Sequence, residues 1–494
     1  MMVSNQIAGV VTVLFAVPCT TLAFYYGKKN EYNKALWLMF ISALTLRIFS
    51  GTDLFLHPWD ERYHALAAKS LLSHPLVPTL YDHPALGYDI KDWTGNHIWV
   101  HKPPMTLWLM ALSMMVFGIN EIAVRIPSIL LSSIGVFLTF HIAKHFFNEK
   151  TALLASFFYA INGFLIELAA GRHPTDHVDT VFIFFIELGI FFSVYYMHRP
   201  SFRTLAFIGI STGFAVLTKW LPGFIVLAFF FVILLSKEDW KKAALHCIVA
   251  FAVAVVVFIP WQIYIYSAFP REAVWENHFN SLHIFEPLDR HTGTVFYQVA
   301  MMPRIFGELI YLPLLMLFYA YYKKRLAPDS LAIILWFVLP YLFFSFVATK
   351  MPGYVMISAP AIFIILAWAF YDIKNSIEKF RYKKLMIGFL ALLVLFPVRY
   401  SFERVKPFSN VDRNPQWAQE LRKLDSKVGR SKAAVFNVEH YIEAMFYANV
   451  SAYPFIPTRE QIRQAKSRGF KVFIYNDVRI PAEFRTDTTV TILN

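Results

Sequence analysis

Cysteine is nearly absent: Cys19 and Cys247 are the only two in 494 residues. That excludes a disulfide scaffold and a thiolate metal cluster. Both cysteines sit in apolar runs, so they carry no message about redox compartment. Charge is also scarce. Charged residues make up 16% of the chain, against about 25% in a soluble domain. The sequence has no P-loop, no dinucleotide fingerprint, no internal repeat and no low-complexity tract, so nucleotide-driven chemistry has no support. What is abundant is apolar: 57% of residues are hydrophobic and 18% aromatic, including 50 Phe and 25 Tyr. A chain this apolar is not disordered. Its net charge of +13 reads as Lys and Arg marking one face of a membrane rather than as nucleic-acid binding.

A helix needs ~20 residues to cross the hydrocarbon core. Apolar stretches near that length recur at 8–26, 35–52, 128–145, 152–170, 181–197, 204–217, 222–236, 243–262, 304–321, 329–347, 354–371 and 384–398. They predict about twelve transmembrane helices. The first lacks the charged n-region and the cleavage pattern of a signal peptide, so it reads as a span. Every second connection is basic, from Lys28, Lys29 and Lys34 to Lys374, Arg381, Lys383 and Lys384, and these belong on the cytoplasmic side. The other side receives 53–127, 171–180, 218–222, 263–303, 348–353 and the tail. The run 105–117 is too short to span and reads as a helix in or dipping into the outer interface. Within 399–494, short apolar runs alternate with helical stretches. Thr458 and Gln461 form a capping-box pattern there, and Gly469 sits where a C-cap glycine would end that helix. The expected organisation is an all-α polytopic membrane domain over 1–398, with a large first outer loop at 53–127, and a small extramembrane α/β domain over 399–494.

The unusual chemistry gathers on the outer side. Residues 57–64 read HPWDERYH, with adjacent carboxylates Asp60 and Glu61 just past a span. Only one of two neighbours on a helix points into a given site, so they do different jobs. HIWVHKPP at 97–104 offers Lys102, stiffened by two prolines. GRHPTDHVDT at 171–180 packs Arg172, two His, Asp176 and Asp179 into ten residues. His173 and His177 have zinc-ligand spacing, but Pro174 lies between them and no third ligand is local, which favours an acid pair with Arg172 lining a cavity. Lys219 in LTKWLPG, Glu276, His278 and His283 in WENHFNSLH, and Lys350 and Tyr354 in ATKMPGY complete the set. One lysine at a span end snorkels. Several, on the side that positive-inside bias depletes, point to function. Cations beside carboxylates suit a lipid-phosphate substrate. If that phosphate carries a sugar, the enzyme needs a base for the acceptor and charge stabilisation for the leaving phosphate. A polytopic transporter or flippase is the rival, although transporters place polar groups at the midplane in repeated halves.

The order WDE, HKPP, GR-x3-D, LTK, PW, WENH and ATKMPGY resembles the membrane glycosyltransferases of the GT-C class. It is closest to the branch holding the lipid A aminoarabinose transferases and the dolichyl-phosphate-mannose protein mannosyltransferases. The resemblance runs over about residues 50–360. It implies a GT-C-like fold, a polyprenyl-phosphate sugar donor, a lipid, protein or glycan acceptor, and an inverting transfer at the periplasmic face of a cell inner (plasma) membrane, without nucleic acid. It implies Asp60 as catalytic acid with Glu61 beside it, Asp176 or Asp179 as a second acid with a lean toward Asp176, and Lys102, Arg172, Lys219, Lys350 and Tyr354 against the lipid phosphate. Aminoarabinose-type members carry Glu before the KPP lysine, where this chain has His101. No cofactor is required on this reading; a divalent metal, if bound, falls to His101 and His278.

Overall fold

The computed structural model describes residues 4–379, 381–429 and 432–493. Helices dominate, and their apolar faces explain why. Seventeen α-helices precede the tail among the described residues: α1 (Asn5–Lys28), α2 (Tyr32–Ser50), α3 (Asp60–Ser70), α4 (Met105–Phe117), α5 (Glu121–Phe146), α6 (Glu149–Ile161), α7 (Gly163–Ala169), α8 (Asp176–His198), α9 (Phe202–Lys219), α10 (Ile225–Leu234), α11 (Trp240–Ala268), α12 (Pro270–Phe285), α13 (Tyr297–Phe306), α14 (Tyr311–Tyr322), α15 (Leu331–Phe346), α16 (Ala359–Ser376) and α17 (Lys383–Val405). Asparagine side chains set several starts: Asn120, Asn148 and Asn162 accept from Ala123 N, Thr151 N and Leu165 N at 2.9, 3.0 and 3.0 Å, satisfying N–H groups that a helix leaves open.

Each of the twelve apolar stretches is helical. Among the described residues, seven helical segments are long and apolar enough to cross a membrane, and up to nine if two bent pairs count as one span each. The pairs are α6 with α7, bent by 53°, and α13 with α14, bent by 107°. At the first bend Asn162 caps α7 and donates to Ile305 O at 2.8 Å, so the break is hydrogen-bonded rather than loose. The shortfall from twelve has a physical cause. Helices α2 and α9 carry Lys34, Arg47, Arg203 and Lys219 at or near their ends, and the segment Leu221–Leu234 is short.

Burial ranks the helices. The segment Pro352–Ser376 and α8 have 89% and 78% of their apolar windows inside the protein, whereas α11, α17 and α1 have 17%, 22% and 28%. The first two form the centre and the others present their side chains to lipid. Arg47, in α2, is fully buried. Its guanidinium donates to Ser132 Oγ (2.7 Å), Ala160 O (3.0 Å) and Tyr159 O (3.3 Å), the arrangement that makes an intramembrane arginine tolerable.

The stretch 105–117 forms α4, and its Leu112, Met115, Val116 and Phe117 are exposed, a face suited to the membrane interface. The tail holds a four-stranded all-parallel sheet of order β2-β1-β3-β4, with β1 Ala433–Phe436, β2 Ser451–Ala452, β3 Lys471–Tyr475 and β4 Val490–Leu493. The Thr458–Gln461 capping box forms, and Gly469 has φ 83°. Two features depart from the expected division. The last apolar helix continues through 398 to Val405. The sheet also shares one apolar core with the first outer segment, in which Val435, Phe436 and Phe473 join Leu66, Trp99, Leu107 and Met110.

Candidate active site

Six of the residues singled out from sequence, Asp60, His101, Lys102, Lys219, His283 and Tyr354, line one cavity of about 640 Å3. It lies where α3, α9, α12 and the segment after α15 meet. Its apolar wall includes Leu221, Ile284, Phe343, Phe344 and Val347, and its polar wall includes Thr175, His101, His283, Asp289 and His291.

Asp60 opens α3, and its Oδ2 accepts from Thr175 N at 3.1 Å. Burial by itself would raise the Asp60 carboxyl. The charges of Lys102, His64 and His101 and the Thr175 N–H outweigh it and hold the group below its ordinary value. Lys102 is half-buried and has no hydrogen-bonded or ion-paired partner among the described residues. Its charge acts on the Asp60 carboxylate through space, without a contact ion pair. Lys219 pairs with Asp179 Oδ1 and sits 4.7 Å from the centroid of the Tyr354 ring. Asp179 Oδ2 accepts from Thr175 Oγ1. A side chain at Gly353 would run into both Asp179 and Thr175, so the glycine of ATKMPGY allows that segment its close approach.

Other residues grouped from sequence are turned elsewhere. Glu61 is fully buried and accepts from Arg125 Nε (2.6 Å) and Nη2 (2.9 Å) and from His57 N (2.6 Å); His177 Nε2 lies 3.1 Å away. Burial opposes its ionisation, but Arg125 and His177 more than compensate and hold its carboxyl well below the usual range. Gly171, at φ 75°, has no room for a Cβ because the Glu61 carboxylate fills that space. Glu61 is therefore a buried ion-pair member and not a second cavity carboxylate. Asp176, toward which the resemblance leaned, is fully buried, with Oδ1 3.0 Å from His64 Nδ1. It is Asp179 that holds the cavity-lining Thr175 and Lys219. Arg172 donates from Nε to Asp53 Oδ2 at 3.0 Å and does not line the cavity. Lys350 is also buried away from it, donating to Ser345 O at 2.6 Å.

His101 and His278 do not come together. On α12, Glu276 is buried and its Oε2 lies 2.9 Å from His101 Nδ1. His278, two residues on, projects to solvent. Among the described residues no three His, Cys, Asp or Glu side chains gather in a metal-holding arrangement. The donor set thus does not fit a divalent ion, and no step below runs through one. Burial, then the Lys102 charge, lowers the His101 ring despite Glu276. Burial and the same cation push His283 down to about 3, which leaves that imidazole neutral at physiological pH.

Sequence reading overlooked Asp53, Thr175 and Arg125. Asp53 binds Arg172, and Arg413 Nη1 at 3.0 Å, which ties the tail to the outer loop. Thr175 acts through its backbone N–H, which no residue type announces. Arg125 left a signal: a lone arginine among apolar residues in the first turns of α5, just ahead of the apolar run, where an unpaired cation would be costly.

A family model described as dolichyl-phosphate-mannose-protein mannosyltransferase matches residues 101–264. An uncharacterized protein of Aquifex aeolicus is 30% identical over 312 residues, covering 61% of this chain and 67% of that one. The undecaprenyl phosphate-alpha-4-amino-4-deoxy-L-arabinose arabinosyl transferase 2 of Pseudomonas fluorescens is 25% identical over 403 residues, 76% of this chain and 64% of its own length. Among solved structures, ArnT from Cupriavidus metallidurans bound to undecaprenyl phosphate aligns with a TM-score of 0.61 at 15% identity, covering 88% of this chain and 89% of that one. The oligosaccharyltransferase AglB of Archaeoglobus fulgidus aligns at 0.57 and 13% identity, covering 88% and 69%. The chain spans about three fifths of the length of the first curated relatives it matches. The helical architecture, the motif order and these likenesses agree: the chain is a multi-pass membrane protein with the fold of the ArnT and AglB structures, and it is similar to the aminoarabinose transferases and, over residues 101–264, to the dolichyl-phosphate-mannose-protein mannosyltransferase family.

Proposed function

We propose that this protein transfers a sugar from a polyprenyl-phosphate donor to a lipid, protein or glycan acceptor at the periplasmic face of the inner membrane. One observation carries the reading: a carboxylate held below its ordinary value, Asp60, shares a cavity with two cations, one of which, Lys102, makes no contact ion pair among the described residues. Lys102 and Lys219 take the donor phosphate. Asp60 accepts the proton of the acceptor hydroxyl as its oxygen attacks the anomeric carbon. The bond from that carbon to the phosphate oxygen breaks, and its electron pair leaves with the lipid phosphate. Attack opposite the leaving group inverts the anomeric centre, and the positive charge that develops on the sugar ring is stabilised by the nearby carboxylate. The two lysines neutralise the departing phosphate, so no proton donor is needed on that side. The apolar wall at Phe343, Phe344 and Val347 suits the first isoprene units.

The placement of the cavity supports the outer face. Asp60, Thr175 and Lys219 all lie at helix ends opposite the basic connections, which positive-inside bias assigns to the cytoplasm. The decisive experiment uses the purified protein in lipid nanodiscs. Asp60→Asn is expected to abolish transfer from an undecaprenyl-phosphate sugar while binding of undecaprenyl phosphate stays within a few-fold of wild type. Transfer at the wild-type rate in that variant overturns the assignment of Asp60.

A further inference from the structure

Two tryptophans at this cavity occupy a backbone conformation that L-residues avoid. Trp59 has φ 75° and ψ −134°, and Trp220 has φ 65° and ψ −149°. Glycine visits this region freely, whereas a residue with a Cβ is strained there. Both line the cavity. Each is bonded directly to a residue of the proposed machinery, Trp59 to Asp60 and Trp220 to Lys219. The chain holds them there from both sides. Before Trp59, His57 N donates to Glu61 Oε2 at 2.6 Å; after it, Asp60 accepts from Thr175 N. Trp220 N donates to Val216 O at 2.9 Å, and Trp220 O accepts from Gly223 N at 3.1 Å. Strain kept in place by surrounding bonds is a pointer to function.

Among the described residues neither ring is stacked on another. A third cavity tryptophan, Trp93, is stacked on His101, with centroids 4.7 Å apart and planes at 9°. Trp59 and Trp220 have no such partner. Among the described residues the one ring contact of the pair is between Trp59 and His291, tilted at 6.3 Å. Among the described residues neither indole N–H has a protein acceptor, and Trp59 is 54% exposed. Each thus offers a free apolar face and a free polar edge. Anchoring at a membrane interface would use the same residue type, but an anchor gains nothing from a glycine-only backbone.

We infer that Trp59 and Trp220 form the sugar subsite, their ring faces packing on the C–H faces of the donor's pyranose or furanose ring and their indole N–H groups donating to its hydroxyls. The inference rests on the glycosyltransferase reading above. The anomeric carbon must lie between the phosphate on Lys219 and the base Asp60, and Trp59 and Trp220 are the chain neighbours of those two groups. An isoprenoid tail would use the ring faces but leave both N–H groups unpaired.

The test compares undecaprenyl phosphate with undecaprenyl-phosphate 4-amino-4-deoxy-L-arabinose, each titrated into the full-length protein in nanodiscs, with melting temperature recorded alongside. Wild type is expected to prefer the sugar-bearing lipid. Trp59→Leu and Trp220→Leu weaken that lipid about tenfold and leave undecaprenyl phosphate within twofold. Trp59→Gly loses the same preference but melts above Trp59→Leu, because the backbone strain is relieved. Equal weakening of both lipids makes the rings lipid anchors and overturns the inference, as does unchanged affinity or a wild type indifferent to the sugar. Should wild type fail to bind undecaprenyl phosphate at all, the parent reading falls first and this one with it.

Discussion

Asp60 and Glu61 are consecutive residues whose carboxylates serve different purposes. Asp60 lines the cavity, while Glu61 lies fully buried against Arg125, 2.6 Å from its Nε. Consecutive side chains on a helix diverge by roughly 100°, so the start of α3 delivers one acid to chemistry and the other to architecture.

Removing the architectural acid should therefore unfold rather than merely inactivate. Glu61→Gln leaves Arg125 as a buried, uncompensated charge, at a cost of about 3–5 kcal/mol. The expected result is a large fall in melting temperature of the purified protein, whereas Asp60→Asn melts near wild type. A stable Glu61→Gln protein would contradict the ion-pair assignment.

The two cavity lysines should not be equivalent. Lys102 makes no contact ion pair among the described residues and acts on Asp60 through space, whereas Lys219 is paired directly with Asp179. Lys102→Met is expected to weaken undecaprenyl phosphate binding by about 10–100-fold, a loss of roughly 1.4–2.8 kcal/mol, and Lys219→Met by less. Asp179→Asn, which frees Lys219, is expected to tighten binding of the phosphate or leave it unchanged. Equilibrium titration of the three variants checks the order.

The pH dependence follows from the carboxylates. The folded-state value of Asp60 lies below its ordinary one, so its base form persists to acid pH. The acid limb of kcat/KM should fall below the ordinary carboxylate value of about 3.9. The stabilisation that accompanies this depression is present above that unfolded-state value and is lost as pH falls through the folded one. Lys102→Met removes the first of the favourable charges and should move the acid limb upward. The pH–rate profile of the two proteins decides it.

The tail should behave as part of the same cooperative unit as the first outer loop, because Phe436 and Leu107 belong to one apolar core. Phe436→Ala is expected to cost about 3–5 kcal/mol. It should lower the stability of the 53–127 segment together with the tail, read as a loss of amide-exchange protection in both. Loss confined to 433–493 would show that they unfold separately.

Much of the architecture was legible in the residues. Lipid forces every backbone group to be satisfied within its own segment, so long apolar runs such as 181–197 and 354–371 had to become helices, and basic connections assigned the sides. Sequence also identified Asp60, Lys102, Lys219 and Tyr354, because charged or polar groups on the side that should lack cations are expensive and therefore informative. It could not reveal that Glu61, Arg172 and Lys350 are turned inward, since exposure depends on where distant partners such as Arg125 and Asp53 come to lie. It preferred Asp176 to Asp179, because spacing along the chain says nothing of whether His64 or Lys219 stands opposite. The local rules of solvation and helix formation settled what each segment becomes. Which side chains face one another was decided by packing between segments from 40 to 119 residues apart, and by backbone atoms, such as Thr175 N and the strained Trp59 and Trp220, whose conformations no residue letter records.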